Sequence, residues 1–356
     1  MITAESIAFL RRLLDAPGPS GFETVAARVW RTEAEKFATS VRTDVAGNSI
    51  AEVNPTGSPT ILLDGHIDEI GVIVQYIDDD GFVYISPIGG WDPQVLVGQR
   101  IRFLSEGGQV IGVVGRKPIH LIKESERDHA VKFPDLWIDI GVGSRADAEK
   151  LVAVGDPGVI DTHAVDFPGN RLVSRSIDDR IGAFAVLEAL RRYAAKPGTA
   201  RVVAVATTQE EIGYMGGGAI VAANVIRPSM AIVVDVTHAT DMPSLEKKEV
   251  GDVRIGSGPV LGRGALLSPV VFDLLKATAR AKNIPFVVHA VGRETSTNAD
   301  AIHIAQDGVA TALVSIPNRY MHSPNEMVSL DDVDRTAELV TEVCRAVTGK
   351  TDFAAR

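Results

Sequence analysis

The chain has 356 residues, 45% of them hydrophobic and 23% charged, which is the composition of a globular protein with room for more than one module. The formal net charge of −10 leaves no basic surface for a phosphate backbone and therefore disfavours nucleic-acid binding. Because Cys344 is the only cysteine, no intrachain disulfide can form, which fits a reducing cytoplasm.

The N-terminal segment has the pattern of an amphipathic helix rather than of a secretion signal. Residues 1–15 carry Glu5 and space Ile7, Leu10 and Leu14 at helical intervals. A signal peptide needs a basic start and an uninterrupted apolar stretch, and neither occurs. No window approaches the roughly 20 apolar residues of a membrane span. We therefore expect a cytoplasmic protein that has no membrane partner.

Two more elements are predicted before residue 70. Residues 17–21 read Pro-Gly-Pro-Ser-Gly and end the first helix, and a second helix follows over residues 23–37. Residues 60–63 are a short apolar run typical of a buried strand, which we expect to end at Asp64 and Gly65.

The pattern of apolar and turn-forming residues changes between residues 71 and 166. Short apolar runs alternate there with Gly, Asp and Pro, which predicts a small β-rich domain inserted into a larger one. The runs occupy residues 72–76, 82–85, 99–103, 110–114, 136–140 and 158–161. One helix, over residues 145–151, interrupts them.

After residue 170 strands and helices alternate. Helices are predicted over residues 179–193, 216–224, 269–282 and 329–347, and strands over residues 201–207, 230–234 and 311–316. This order predicts an α/β fold, with a mixed sheet covered by helices on both sides. Ser329 followed by Asp332 resembles a capping box at the start of the last helix. The main domain would then comprise residues 1–70 and 167–356, and the inserted domain residues 71–166.

Histidines and acidic residues recur in five short motifs, and the motifs follow predicted strands or precede a helix. The motifs are His66-Ile67-Asp68, Asp178-Asp179, Glu210-Glu211, Asp235 and His322. In an open α/β sheet, ligands bind beyond the carboxyl ends of the strands. We therefore expect these side chains to meet at one edge of the sheet.

Two imidazoles and three carboxylates are the ligand count that a pair of divalent cations needs. His66, Asp178 and Asp235 can hold one ion, and Asp178, Glu211 and His322 the other, if Asp178 bridges them. Glu210 is then free to act as general base, and Asp68 can accept the second ring N–H of His66 and fix its tautomer. Such ligands suit zinc first, with cobalt or manganese as alternatives.

The same motifs, in order along nearly the whole chain, resemble the M42 family of metallo-aminopeptidases, the tetrahedral or deblocking aminopeptidases related to glutamyl aminopeptidase. The matching segments are residues 63–71, 176–180, 209–213, 235–237 and 319–324, with residues 89–96 and 137–141 in the inserted domain. The resemblance implies a zinc-peptidase-like catalytic domain that removes N-terminal residues from oligopeptides through a metal-bridging hydroxide. It implies the metal ligands His66, Asp178, Glu211, Asp235 and His322, with Glu210 as base and Asp68 steadying His66.

The resemblance also implies that the inserted domain is PDZ-like and mediates dimerisation, and that dimers build a hollow homo-oligomer of twelve subunits. One segment departs from the family pattern. Where many relatives read Gly-Thr-Asp-Ala, this chain has Ser-Thr-Asn-Ala at residues 296–299. The lost carboxylate leaves the metal ligands untouched and puts the preference for the substrate's first side chain in doubt.

Other functions use parts of the same residue set. Each motif alone has a structural interpretation, since Asp178-Asp179 could cap a helix and Glu210-Glu211 could be a solvated pair. A two-metal carboxypeptidase or N-deacylase could use the same ligands. A glycosidase needs two carboxylates and no metal, which leaves His66 and His322 without a role. A non-catalytic scaffold would not need the complete set. The chain contains neither His-Glu-x-x-His nor Gly-x-Ser-x-Gly, which argues against a thermolysin-type protease or a serine hydrolase.

Overall fold

The structure of the protein is a computed structural model, which describes residues 1–213 and 217–354. The helices are α1 (Ala4–Asp15), α2 (Thr24–Ala34), α3 (Arg145–Ala148), α4 (Ile177–Ala195), α5 (Gly217–Ile226), α6 (Lys247–Val250), α7 (Pro269–Ala281), α8 (Ala299–Ile302) and α9 (Leu330–Ala346). The strands are β1 (Ser40–Thr43), β2 (Ser49–Val53), β3 (Thr60–His66), β4 (Gly71–Ile77), β5 (Val83–Ile88), β6 (Arg100–Ser105), β7 (Gly108–Arg116), β8 (Leu136–Asp139), β9 (Pro157–Ile160), β10 (Val165–Phe167), β11 (Arg171–Ser174), β12 (Arg201–Thr207), β13 (Met230–His238), β14 (Val260–Gly264), β15 (Val287–Val291), β16 (Ala310–Asn318) and β17 (Glu326–Ser329). Short 3-10 helices span Pro93–Leu96, Ile119–Leu121, Glu124–Glu126 and Phe133–Asp135.

An eight-stranded mixed sheet forms the centre of the larger part of the molecule, in the order β1-β2-β12-β3-β13-β16-β14-β15. The four middle strands β12, β3, β13 and β16 are parallel to one another, whereas β2 and β14 run antiparallel to their neighbours β12 and β16. Parallel strands of this kind are buried on both faces, which explains their continuous apolar runs.

Helices cover both faces of this sheet, as the sequence predicted. On one face α1, α2, α4, α7 and α9 pack on side chains such as Leu63 and Val202. On the other face α5 and α8 pack on Leu62 and Val203. Neighbouring residues of β3 and β12 thus point to opposite layers, as strand geometry requires. The mixed α/β fold is confirmed.

The six strands β4 to β9 form a closed barrel in the order β4-β5-β8-β7-β6-β9. The barrel has its own apolar core, which includes Val74, Phe103 and Ile138. Its strands lie between Gly71 and Ile160. The next strand, β10, pairs instead with β11 in a three-stranded sheet that also contains β17.

Several predicted boundaries differ from the structure. The prediction that the strand after residue 60 ends at Asp64 was wrong, because β3 continues to His66 and Asp64 is fully buried. The prediction of a capping box was also wrong. Ser329 caps α9, but its hydroxyl accepts from the N–H of Asp331, and the Asp332 carboxylate accepts from the N–H groups of Gly256 and Gly258. The predicted start of α5, Gly216, lies outside the described residues.

Strand β3 can continue past Asp64 because Gly65 allows helix α4 to approach it closely. A Cβ atom at Gly65 would lie 2.6 Å from the backbone nitrogen of Ala183 and 2.6 Å from the carbonyl carbon of Gly182. Real Cβ atoms essentially never come that close to backbone. The contact brings the end of β3 against the first turn of α4, and so brings His66 towards Asp178.

Among the described helices, none combines enough length and apolar character to span a lipid bilayer.

Candidate metal centre

His66 occupies the last position of β3, and its two ring nitrogens face different partners. Nε2 lies 3.2 Å from Oδ1 of Asp178. Nδ1 lies 3.2 Å from the carbonyl oxygen of Asp68 and 3.4 Å from its Oδ1. We predicted that the Asp68 carboxylate would accept the second ring N–H. The hydrogen bond is to the carbonyl of the same residue, with the carboxylate just beyond it. In either case Nδ1 carries the proton, and Nε2 is available as a ligand.

His322 approaches Asp178 from the other side. Its Nε2 lies 3.4 Å from Oδ2 of Asp178 and 3.2 Å from Oε2 of Glu211. Its Nδ1 donates to the carbonyl oxygen of Gly90 at 2.7 Å. The two carboxylate oxygens of Asp178 therefore face two different imidazoles, which is the arrangement that a carboxylate shared between two cations requires.

Asp235 and Glu210 complete the group, which we call the acidic–imidazole cluster (His66, Asp178, Glu210, Glu211, Asp235 and His322). Asp235 lies within β13 rather than after it, and its side chain is buried. Glu210 Oε2 lies 3.8 Å from Nε2 of His66. One ligand atom each of His66, Asp178 and Glu211 lie within 4.8 Å of one another. The structure thus brings all of the predicted site residues into one neighbourhood.

Asp179 also lies beside His66, and with His66 and Asp235 it forms a second group whose ligand atoms lie within 4.8 Å. Its Oδ2 accepts from the N–H of His66 at 3.2 Å, and its Oδ1 accepts from the N–H of Gly182 at 3.1 Å. Because both oxygens already accept from backbone N–H groups, Asp179 is better suited to orienting His66 than to binding a cation. The hydrogen bond from Gly182, three residues on, is of the kind that a helix-capping side chain makes, as one interpretation of Asp178-Asp179 expected.

The loop that carries Glu210 and Glu211 is held by side chains from distant segments. Thr208 N–H donates to Asn48 Oδ1 at 3.1 Å, and Gln209 N–H donates to Glu23 Oε1 at 3.2 Å. Glu211 N–H donates to Asp68 Oδ2 at 3.1 Å, which also accepts from the Ser20 hydroxyl at 2.5 Å.

Sequence reasoning missed Ser20, Glu23, Asn48 and also Glu326, whose carboxylate accepts from two backbone N–H groups of the site. For Glu326, the only signal was an acidic residue four positions after His322.

The buried carboxylates of the cluster lie close together, and this shifts the pKa values of several of its residues. Burial, and next the neighbouring charges of Asp235 and Glu211, raise the pKa of Glu210 to about 9. Burial and Asp178 raise the pKa of Asp235 to about 8. The pKa of His322 rises to about 11, because hydrogen bonds to Asp178 and Glu211 outweigh its burial. These shifts are those of negative charge confined in a low-dielectric site, which bound cations relieve.

The residues fit divalent cations. Oε1 of Glu211 is buried and has no hydrogen-bond partner in the structure, so a lone pair in the middle of the cluster is free to bind. Imidazole nitrogen and carboxylate oxygen are the ligands that zinc, cobalt and manganese accept. A cavity of about 870 Å³ opens beside the cluster, and its lining also includes Ile220, Glu294, Asn298 and Ile304. It is large enough for a peptide terminus.

An open, mixed α/β sheet with imidazoles and carboxylates gathered near the carboxyl ends of its parallel strands is typical of metal-dependent hydrolases. Within that class, the chain belongs to the M42 glutamyl aminopeptidase family, whose model matches residues 47–339. Lysyl aminopeptidase of Pyrococcus furiosus is 35% identical over 333 residues, which cover 93% of this chain and 94% of the relative. Glutamyl aminopeptidase of Lactococcus lactis is 29% identical and covers 77% of each chain.

Solved structures show the same fold along nearly the whole chain. The TET aminopeptidase of a marine sediment archaeon, Thaumarchaeota archaeon SCGC AB-539-E09, superposes with a TM-score of 0.92 at 32% identity, covering 97% of each chain. The TET1 peptidase of Pyrococcus horikoshii, described as able to assemble into a tetrahedron or a large octahedral shell, superposes with a TM-score of 0.85 at 29% identity. That comparison covers 96% of this chain and all of the relative. The chain is therefore an aminopeptidase, and the predicted family is confirmed.

Proposed function

We propose that the acidic–imidazole cluster holds two divalent cations and that the enzyme removes single residues from the N-termini of oligopeptides. The observation that carries this proposal is the Asp178 carboxylate between His66 and His322. His66 and Asp235 would hold one ion, and Glu211 and His322 the other, with Asp178 shared. Zinc suits this set first, and cobalt or manganese are alternatives.

When bound, such a pair of cations polarises a carbonyl group and makes a water molecule acidic at neutral pH. Glu210 acts as the general base. Its carboxylate lies 3.8 Å from Nε2 of His66 and is not needed as a ligand, so it is free to take and return a proton. Glu210 accepts the proton of the attacking water and then delivers it to the leaving amine. Asp68 accepts hydrogen bonds from both His66 and the N–H of Glu211 and so keeps these two residues in place relative to each other.

The test of Glu210 is the variant Glu210→Gln, which keeps the shape of the side chain and removes its basicity. We expect full metal content and a loss of turnover of roughly 10²–10⁴-fold. Glu338→Gln, on the exposed face of α9, is the matched control and should behave as wild type. Near-normal turnover of the Glu210→Gln enzyme would exclude Glu210 as the base.

Substrate class separates the aminopeptidase from its rivals. Free-amine aminoacyl anilides should be hydrolysed, whereas N-acylated or C-terminal substrates, which a deacylase or a carboxypeptidase would take, should not. Removal of metal by a chelator should abolish turnover. Adding zinc or cobalt should then restore it. Hydrolysis of β-glucan that survives the chelator would instead support a glycosidase.

We also propose the domain roles that the resemblance implied. Residues 1–70 and 167–356 would form the catalytic domain, and residues 71–166 a PDZ-like domain through which subunits dimerise. The separate core of the barrel and the assembly described for the Pyrococcus horikoshii relative support this proposal. A cytoplasmic twelve-subunit particle would have twelve times the 37.9 kDa mass of one chain, which light scattering can measure.

A further inference from the structure

Glu326 lies where the two chain segments that deliver Asp178 and His322 come together. It is the first residue of β17, and it pairs with Ser174 of β11, four residues before Asp178. The next residue, Met327, exchanges two backbone hydrogen bonds of 3.0 Å with Arg319, three residues before His322. Strand β17 is therefore tied to both ligand-bearing segments at once.

The side chain of Glu326 spans the same two segments. Its Oε2 accepts from the N–H of Asp178 at 3.0 Å, and its Oε1 accepts from the N–H of His322 at 2.8 Å. The side chain is buried, with 2% of the residue exposed. Neither of the two donor residues has an ordinary helical backbone, since Asp178 has ψ of 112° and His322 has φ of 59°. A positive φ in a residue other than glycine costs about 1 kcal/mol or more and persists only where the surroundings hold it.

Glu326 does not face the substrate side of the site. It lines a small cavity of about 10 Å³, which Asp178 and Glu211 also line, and it is not among the described residues that line the large cavity of about 870 Å³. A role through other residues therefore fits its position better than contact with the substrate.

We infer that Glu326 is a positioning residue that fixes the distance between Asp178 and His322 and thereby sets the affinity of the cluster for divalent cations. This inference rests on the proposed metal-binding function. Only a carboxylate presents an acceptor oxygen to each of the two N–H groups. A glutamine would present one acceptor and, at the other position, an NH₂ group facing an N–H. Partners of metal ligands typically change metal affinity by roughly 10–100-fold when they are replaced.

The experiment compares wild type, Glu326→Gln and the control Glu338→Gln as full-length proteins stripped of metal. Each is titrated with Zn²⁺ against a competing chelator, and thermal unfolding of the metal-free form is measured in parallel. We expect roughly 10–100-fold weaker Zn²⁺ binding by Glu326→Gln, with kcat recovering at excess Zn²⁺ and an unchanged KM. Wild-type Zn²⁺ affinity in Glu326→Gln would overturn the inference, as would an effect confined to the unfolding temperature.

A second variant covers the case in which Glu326→Gln does not fold. Glu326→Asp keeps the charge but is one methylene too short to reach both N–H groups, so it should also bind Zn²⁺ more weakly. Equal affinity of Glu326→Asp and wild type would then overturn the inference. If wild type itself binds no Zn²⁺ and keeps its activity in a chelator, the proposed two-metal function fails, and this result is distinct from either variant's outcome.

Discussion

The carbonyl oxygen of Gly90 accepts a hydrogen bond of 2.7 Å from Nδ1 of His322. Gly90 follows strand β5 of the barrel, whereas His322 belongs to the acidic–imidazole cluster beside the central sheet. Because a carbonyl oxygen can only accept, this contact keeps a ring proton on Nδ1 and turns Nε2 towards Asp178 and Glu211, so Nε2 is the nitrogen that would lose its proton to bind a cation. The inserted segment thus determines the tautomer of a predicted metal ligand in the other part of the chain.

This contact predicts that Gly90→Ala impairs the enzyme without unfolding it. The new Cβ would lie 3.3 Å from Nδ1 of His322, so the ring must move by a few tenths of an ångström. Small displacements of positioned groups reduce rates steeply, and we expect kcat to fall roughly three- to tenfold. Gly143→Ala is the control, because no atom lies within 4 Å of its added Cβ. Equal kcat values for the two variants would show that the ring tolerates the shift.

Binding of cations should release protons at neutral pH. In the metal-free protein the pKa of Asp235 is raised to about 8 and that of Glu210 to about 9, in both cases first by burial. These groups are therefore largely protonated at pH 7, and a cation must displace a proton to bind Asp235. Because His322, whose pKa is raised to about 11, must also give up a proton to bind a cation, Zn²⁺ affinity should continue to rise above pH 8 and should fall as the pH is lowered. Calorimetry in buffers of different ionisation enthalpy measures the protons released, and a value of zero at pH 7 would contradict the prediction.

The charge of the large cavity predicts a weak preference against acidic N-terminal residues. Among the described residues that line it there is no lysine or arginine, whereas Glu294 lies at its exposed rim. One repulsive charge at a solvated rim is worth about 1 kcal/mol, so we expect glutamyl anilides to have roughly fivefold lower kcat/KM than leucyl or lysyl anilides. Glu294→Gln should reduce the difference in kcat/KM between glutamyl anilides and the other two substrates. A wild-type enzyme that favours glutamyl anilides over both others would contradict the prediction, since Arg293 in the adjoining recess would then dominate.

The residues of the acidic–imidazole cluster could be predicted from the sequence much better than the residues that support them. His66 ends an apolar strand, and Glu210 and Glu211 follow another. The buried character of both strands is evident from their short apolar runs, and strand ends in an α/β sheet converge. Asp235 was expected at a strand end as well, but β13 continues to His238 because Val236 and Thr237 pair with β16. Strand pairing between distant segments is a tertiary effect, and local composition does not encode it.

The supporting residues could not be found in the same way. Asn48, Glu23 and Glu326 act by accepting from backbone N–H groups of residues that lie far away in the chain. Backbone N–H groups are the same at every position. A side chain that accepts from one can therefore pair with any residue type, and the sequence does not show which residue it contacts. Only Asp68, two positions from His66, was close enough along the chain to be predicted.

A buried arginine ties the N-terminal segment to the site, and its replacement should destabilise the fold. Arg180, in the first turns of α4, is fully buried. It donates to the carbonyl oxygens of Ile67 and Leu13 at 3.0 Å, to that of Ala16, and to Oε1 of Glu69 at 2.8 Å. The planar guanidinium can serve this many acceptors at once, whereas an ammonium group cannot.

Arg180→Met would leave buried carbonyl groups without this donor and Oε1 of Glu69 with only the N–H of Gly18, and we expect it to lower the free energy of unfolding by about 3–5 kcal/mol. Arg180→Lys keeps the charge and should lose less, but more than about 1 kcal/mol. Arg280→Lys, exposed in the last turn of α7, should be neutral. Urea unfolding of the metal-free proteins keeps ligand binding out of the comparison. If Arg180→Lys matches wild type, the charge of Arg180 matters and its fork of N–H donors does not.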